Sequence, residues 1–334
     1  MPDDPLWDGG PVREPELSEL ERTLHALGAP PPAPDWSLVK PAAPRRSRQP
    51  WLLAAAAALV IAGGLAWWDA RDTWTVNPLA GAPSIEGAWP WARGLGVGAR
   101  LVTRAGERAS ISVDGIGVVE VAPGSRLRRL RGAKREERRL ALEVGMVRAF
   151  IVAPPRRFVV EAPGAVATDL GCEYTLEVGP DGHGALRVLL GWVAFAHEGR
   201  ESFVPAGACC ETHGESGPGT PHYEDAPIPL VRALAVFDGP SSSSERRDRA
   251  LDEVLASARP RDAFTLWHLL PRSSGDARAR VADRLAILAP PPDTAPRARV
   301  LALDRDALDA WWDTLGMGDT SWWRTWEGGW PGSR

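Results

Sequence analysis

The sequence predicts a mainly β protein: an all-β sandwich or barrel-like domain, joined to a single transmembrane helix and a C-terminal α-helical domain. Three observations predict it. Trp51–Trp68 (WLLAAAAALVIAGGLAWW) carries no charge and no proline. Between about residue 98 and residue 212 the chain breaks into short, alternating apolar runs separated by Gly-containing turns, the pattern of many short strands. Beyond Pro218 the apolar residues recur at helical spacing.

Residues 1–48 read as a short cytoplasmic segment. Within it, 16–27 (ELSELERTLHAL) places Leu17, Leu20, Leu24 and Leu27 on one stripe of a helix, with acids on the other face. Twelve residues form a marginal helix alone, so an apolar stripe with no domain around it calls for a partner surface. The alternative is a disordered tail with chance leucine spacing. A Pro-rich linker follows through Ala29–Pro34, Pro41 and Pro44.

The transmembrane helix is expected over 50–68. At helical rise its eighteen uncharged residues reach about 27 Å, enough for a bilayer core with little tilt. Lys40, Arg45, Arg46 and Arg48 precede it, which sets the N-terminus inside and the bulk of the chain outside. Trp51 and Trp67–Trp68 suit the two aromatic belts. A buried Ala-rich core helix is the competing reading.

Residues 69–97, rich in Gly, Pro and Trp, read as an external linker, and 98–212 as the β domain. Residues 213–225 are expected as a loop, and 226–330 as the α-helical domain. Its helices are expected at Arg246–Ala258, Asp262–Leu270, Ala277–Leu288 and Asp304–Leu315, with prolines between them. Trp322, Trp323, Trp326 and Trp330 are expected to pack the terminal helix.

The chain has 334 residues, 39 basic and 43 acidic, for a net charge of -4. This gives no general bias toward nucleic acid, and no direct nucleic-acid partner is expected. The one dense basic cluster, Arg126–Arg139, reads as two exposed strand arms around a Gly132-Ala133 turn. Of the three cysteines, Cys209 and Cys210 point to opposite faces of an extended strand, so both cannot meet Cys172. A Cys172–Cys210 disulfide is expected, with three reduced, buried thiols as the alternative.

The histidines match no zinc spacing, and the loop holding His213, Glu215 and His222 reads as ordinary. Ser216 lacks the second glycine of a nucleophile elbow, where Pro218 stands. His268, among Leu266, Trp267, Leu269 and Leu270, reads as a core histidine. No set of residues supplies a base, a nucleophile and an oxyanion donor together. No enzyme activity, cofactor, metal or small-molecule substrate is therefore expected.

Six stretches in order resemble the FecR domain family: Thr103–Ile111, Val118–Leu127, Leu140–Gly145, Phe158–Gly171, Leu186–Val193 and Val204–Gly207. The resemblance covers roughly 98–212. It implies a β-rich periplasmic sensor on a single-span protein of the bacterial inner membrane, with the N-terminus cytoplasmic. It also implies a cytoplasmic extracytoplasmic-function (ECF) sigma factor as partner and an outer-membrane or envelope protein as the source of the signal. The cytoplasmic segment is shorter than is typical of the iron regulators in that family, and the helical extension after Gly219 lies outside the core domain. The alternative is an envelope scaffold that uses the β domain and Trp-rich helical end to bind glycan or another envelope protein.

Overall fold

Buried and more exposed residues alternate along several of the described strands. Arg108–Val113 buries Ala109, Ile111 and Val113, and Glu173–Val178 buries Tyr174, Leu176 and Val178. The computed structural model describes residues 72–87, 94–198 and 200–317, with isolated positions at 19, 22–23, 54–55 and 64. The expected transmembrane helix over 50–68 and the terminal tryptophans lie outside the described residues, apart from Ala54, Ala55 and Gly64, which are helical. Among the described residues no helix is long and apolar enough to cross a membrane.

The strands are β1 (Thr73–Ala80), β2 (Ser84–Glu86), β3 (Gly94–Gly96), β4 (Arg100–Val102), β5 (Arg108–Val113) and β6 (Gly117–Val121). There follow β7 (Arg126–Leu130), β8 (Arg138–Ile151), β9 (Phe158–Ala162), β10 (Ala165–Asp169) and β11 (Glu173–Val178). Last come β12 (His183–Leu190), β13 (Trp192–His197), β14 (Arg200–Pro205), β15 (Ala208–His213) and β16 (His222–Tyr223). One sheet runs β3-β1-β5-β6-β8-β11-β12-β15-β16, and the other runs β2-β4-β7-β8-β9-β10-β13-β14. The sheets face one another over a single apolar core that includes Ile111, Val147 and Leu176 from the first, and Leu127, Leu142 and Phe195 from the second. This is the expected sandwich.

β8 belongs to both layers. Its first half pairs with β7 and, in parallel, with β9, while its second half pairs with β6 and β11. The change of layer falls at Gly145, which has φ +100°. A Cβ there would collide with Ser125, and the Ser125 hydroxyl binds both the N–H and the carbonyl of Met146. Only glycine meets both demands.

The linker expected over 69–97 is corrected by the fold. β1 pairs with β5 and β3, β2 pairs with β4, and Trp74 and Leu95 are buried in the core. Pro78, Gly81 and Pro83 sit at a register shift and a turn, so their presence disguises strands that alternate on either side. The basic arms do form β7 and the start of β8, except that Arg129 shares the buried face with Leu127.

The C-terminal helices are α1 (Ile228–Asp238), α2 (Ser244–Ser257), α3 (Ala263–Leu269), α4 (Gly275–Leu288), α5 (Arg297–Leu301) and α6 (Arg305–Asp313). α2 is N-capped by Ser243, and α6 by Asp304. They enclose a second core in which Trp267, Trp311 and Trp312 meet Leu170, Ala194 and Phe203 from the β layer. The helical domain therefore shares an apolar interface with the sandwich.

Candidate functional site

The first described strand begins only a few residues after the apolar Trp51–Trp68 run, and an arginine fixes its start. Arg129 on β7 donates to the Asp72 carbonyl and carboxylate, each at 2.6 Å, and to the Leu95 carbonyl at 3.1 Å. Its guanidinium lies 4.3 Å from the centroid of the Trp74 ring. The Arg129 side chain is only 4% exposed, whereas that of Asp72 is 55% exposed. The pair thus fastens the incoming chain, at Asp72, to the far layer of the sandwich.

The outer face of the first sheet carries an apolar row. Val118 lies opposite Phe150, Phe150 opposite Glu173, and Glu173 opposite Leu190. A bulge between Glu173 and Tyr174 on the β12 pairing leaves both Leu189 and Leu190 pointing outward. Phe150 is 46% exposed, Leu190 58% and the neighbouring Val152 70%. Glu173, which interrupts the row between Phe150 and Leu190, pairs with Arg148. Exposed aromatic and aliphatic residues interspersed with an ion pair suit contact with another macromolecule.

Residues 99–194 match the family FecR protein. That stretch is similar to a FecR domain. The match runs from the residue before β4 into β13, and the sandwich extends beyond it by β1–β3 before and β14–β16 after. Two crystal structures of a candidate anti-sigma factor from Parabacteroides distasonis are similar, each at 17% identity and a TM-score of 0.34 over 41% of this chain. The chain spans 64% of the length of that protein. No curated protein matches it.

The expected partner-binding leucines, Leu17, Leu20, Leu24 and Leu27, lie outside the described residues. In the same segment Glu19, Arg22 and Thr23 are helical, and the Thr23 hydroxyl donates to the Glu19 carbonyl at 2.7 Å.

The sandwich places the other expected pair, Cys172 and Cys210, far apart. The three thiols are free and buried. Cys172 lies beside Gly191, whereas Cys210 pairs with Leu186. Five residues of extended chain put roughly 16 Å between those levels, against the ~7 Å a disulfide tolerates between Cα atoms. The expected Cys172–Cys210 bridge is therefore not formed. Cys209 and Cys210 do face opposite ways: Cys210 enters the sandwich core, and Cys209 packs against the His222 ring at 3.6 Å.

Burial governs the chemistry of these thiols. It pushes the Cys172 and Cys210 thiols well above the ordinary thiol range and Cys209 to about 11. None is a thiolate at neutral pH. Cys172 donates to the Asp169 carboxyl, which also accepts the Gly171 N–H at 2.8 Å. Burial raises that carboxyl to about 6. Among the described residues no group of three His, Cys, Asp or Glu side chains could hold a metal.

Neither the Arg129 clamp nor the Leu189–Leu190 bulge was foreseen from the sequence. The clamp is one arginine among many, and the bulge is a register shift with no marker residue.

Proposed function

We propose that this chain is a FecR-like transmembrane regulator that relays an envelope signal to a cytoplasmic ECF sigma factor. Trp51–Trp68 spans the bacterial inner membrane once, and the helix bearing Leu17, Leu20, Leu24 and Leu27 holds the sigma factor. The observation that carries this reading is the order within one chain: a FecR domain directly after an uncharged, arginine-guarded apolar run. The Arg129–Asp72 clamp supports it, because a displacement of the domain would reach the span without being lost in slack chain.

Full-length protein, extracted in detergent, should capture a sigma factor, and removal of residues 1–40 should abolish capture. Reporters fused to the C-terminus should be active only outside the cytoplasm. Failure of capture, or a cytoplasmic C-terminus, overturns the proposal.

The exposed Val118–Phe150–Leu190 row favours a second reading, an envelope scaffold anchored by the same span. A scaffold would keep its envelope function after loss of residues 1–40, whereas a regulator would lose transcriptional control.

A further inference from the structure

A cavity of about 430 Å³ lies where the β13–β14 hairpin of the sandwich meets the helical domain. That volume falls within the range of small-molecule sites, roughly 300–1,000 Å³. The β13–β14 hairpin contributes His197 and Arg200, the end of α1 contributes Phe237 and Asp238, and α2 contributes Arg247. Arg272, between α3 and α4, also reaches it.

The charges in this cavity do not cancel. Asp238 accepts from the Thr220 N–H at 2.6 Å and its hydroxyl at 3.1 Å, and sits 3.6 Å from Arg272. Arg272 also donates to the Pro218 carbonyl and the Ser202 hydroxyl. Both side chains are less than a tenth exposed, so this pair is neutral and occupied with joining the two domains. Arg200 and Arg247 are different. Each donates to a backbone carbonyl, that of Ser216 at 3.1 Å and of Gly239 at 3.2 Å. Neither has a carboxylate within ion-pair distance among the described residues. A guanidinium has five N–H donors, so each keeps donors to spare. The one further acid, Glu198, approaches His197 at 3.9 Å with a side chain 85% exposed to water.

We propose that this cavity binds a small molecule bearing a phosphate or carboxylate group, held between Arg200 of the hairpin and Arg247 of α2. Arginine is suited to such groups because its planar fork matches two oxygens at once. The ring of Phe237 provides an apolar wall for the rest of the molecule. A ligand seated there would touch both the sandwich and the helical domain, and would stabilise their junction in proportion to its binding. This does not depend on sigma-factor binding.

The test is calorimetric titration of the full-length protein in detergent with pyrophosphate and, separately, with citrate, alongside thermal melting. At least one probe should bind at millimolar concentration or tighter and raise the melting temperature. The anion that binds tells the phosphate class from the carboxylate class. The R200Q/R247Q double variant should melt as wild type without ligand and bind about tenfold or more weakly. R232Q, which changes an exposed arginine of α1 outside the cavity, should bind as wild type. No binding of either probe, or equal weakening by R232Q, overturns the proposal.

Discussion

The Nε2 atom of His268 accepts the backbone N–H of Phe203 at 3.1 Å. The histidine's Nδ1–H donates to the Phe264 carbonyl at 2.8 Å. Phe203 lies on β14, the last strand of its sheet, so a side chain from α3 takes the place of a neighbouring strand there. His268 has been drawn from water to do this, and burial lowers its pKa to about 3. The unfolded chain takes up a proton near pH 6.5 that the folded chain refuses. Stability is therefore complete above pH 6.5 and declines as pH falls from 6.5 toward 3. At pH 5 the loss is about 2 kcal/mol. Denaturant titrations of wild type and H268Q across pH 4–8 should show this slope in the difference between the two, H268Q gaining on wild type as pH falls. H268A, which strands the Phe203 N–H and opens a cavity, should cost about 3 kcal/mol at pH 7.

Asp169 has the opposite sign. Burial holds its carboxyl protonated up to about pH 6, whereas an unfolded aspartate ionises near 4. The contribution is present below pH 4 and is lost as pH rises through 6, a difference of roughly 3 kcal/mol. D169N should remove this fall and leave the His268 slope exposed, so the variant should gain stability relative to wild type between pH 4 and 7. An unchanged difference across that range would show that Asp169 is not buried as described.

Arg129 should be among the most sensitive positions of the second sheet. R129A loses the Leu95 and Asp72 bonds and the packing over Trp74, at about 3 kcal/mol. D72N should cost about 1 kcal/mol or less, because its partner keeps the Asp72 and Leu95 carbonyls. Chemical denaturation of both variants measures the asymmetry.

Gly145→Ala should destabilise by about 3 kcal/mol or more, since it imposes a Cβ at φ +100° against Ser125. The double variant with S125G should recover only the steric part, which a double-mutant cycle reads out.

Much of the fold was readable in the sequence because alternation reports the buried face directly. Ile111, Val119, Leu142 and Leu176 all fall on the side that period-two spacing assigns them. The helices α2, α3, α4 and α6 followed from apolar spacing. α1 escaped because IPLVRALAVFD is apolar on nearly every side and has no side-chain N-cap. β1–β3 escaped because proline and glycine there mark register shifts and turns inside a sheet. The arginine-lined cavity could not be foreseen, since Arg200, Arg247 and Arg272 come together only when the helical domain docks.

One strand serving both layers has a mechanical meaning. The sheets cannot slide past each other without tearing the β8 ladder on one side of Gly145. A tug on β1 is thus borne by the sandwich as one stiff block, and compliance is left to the segments outside it.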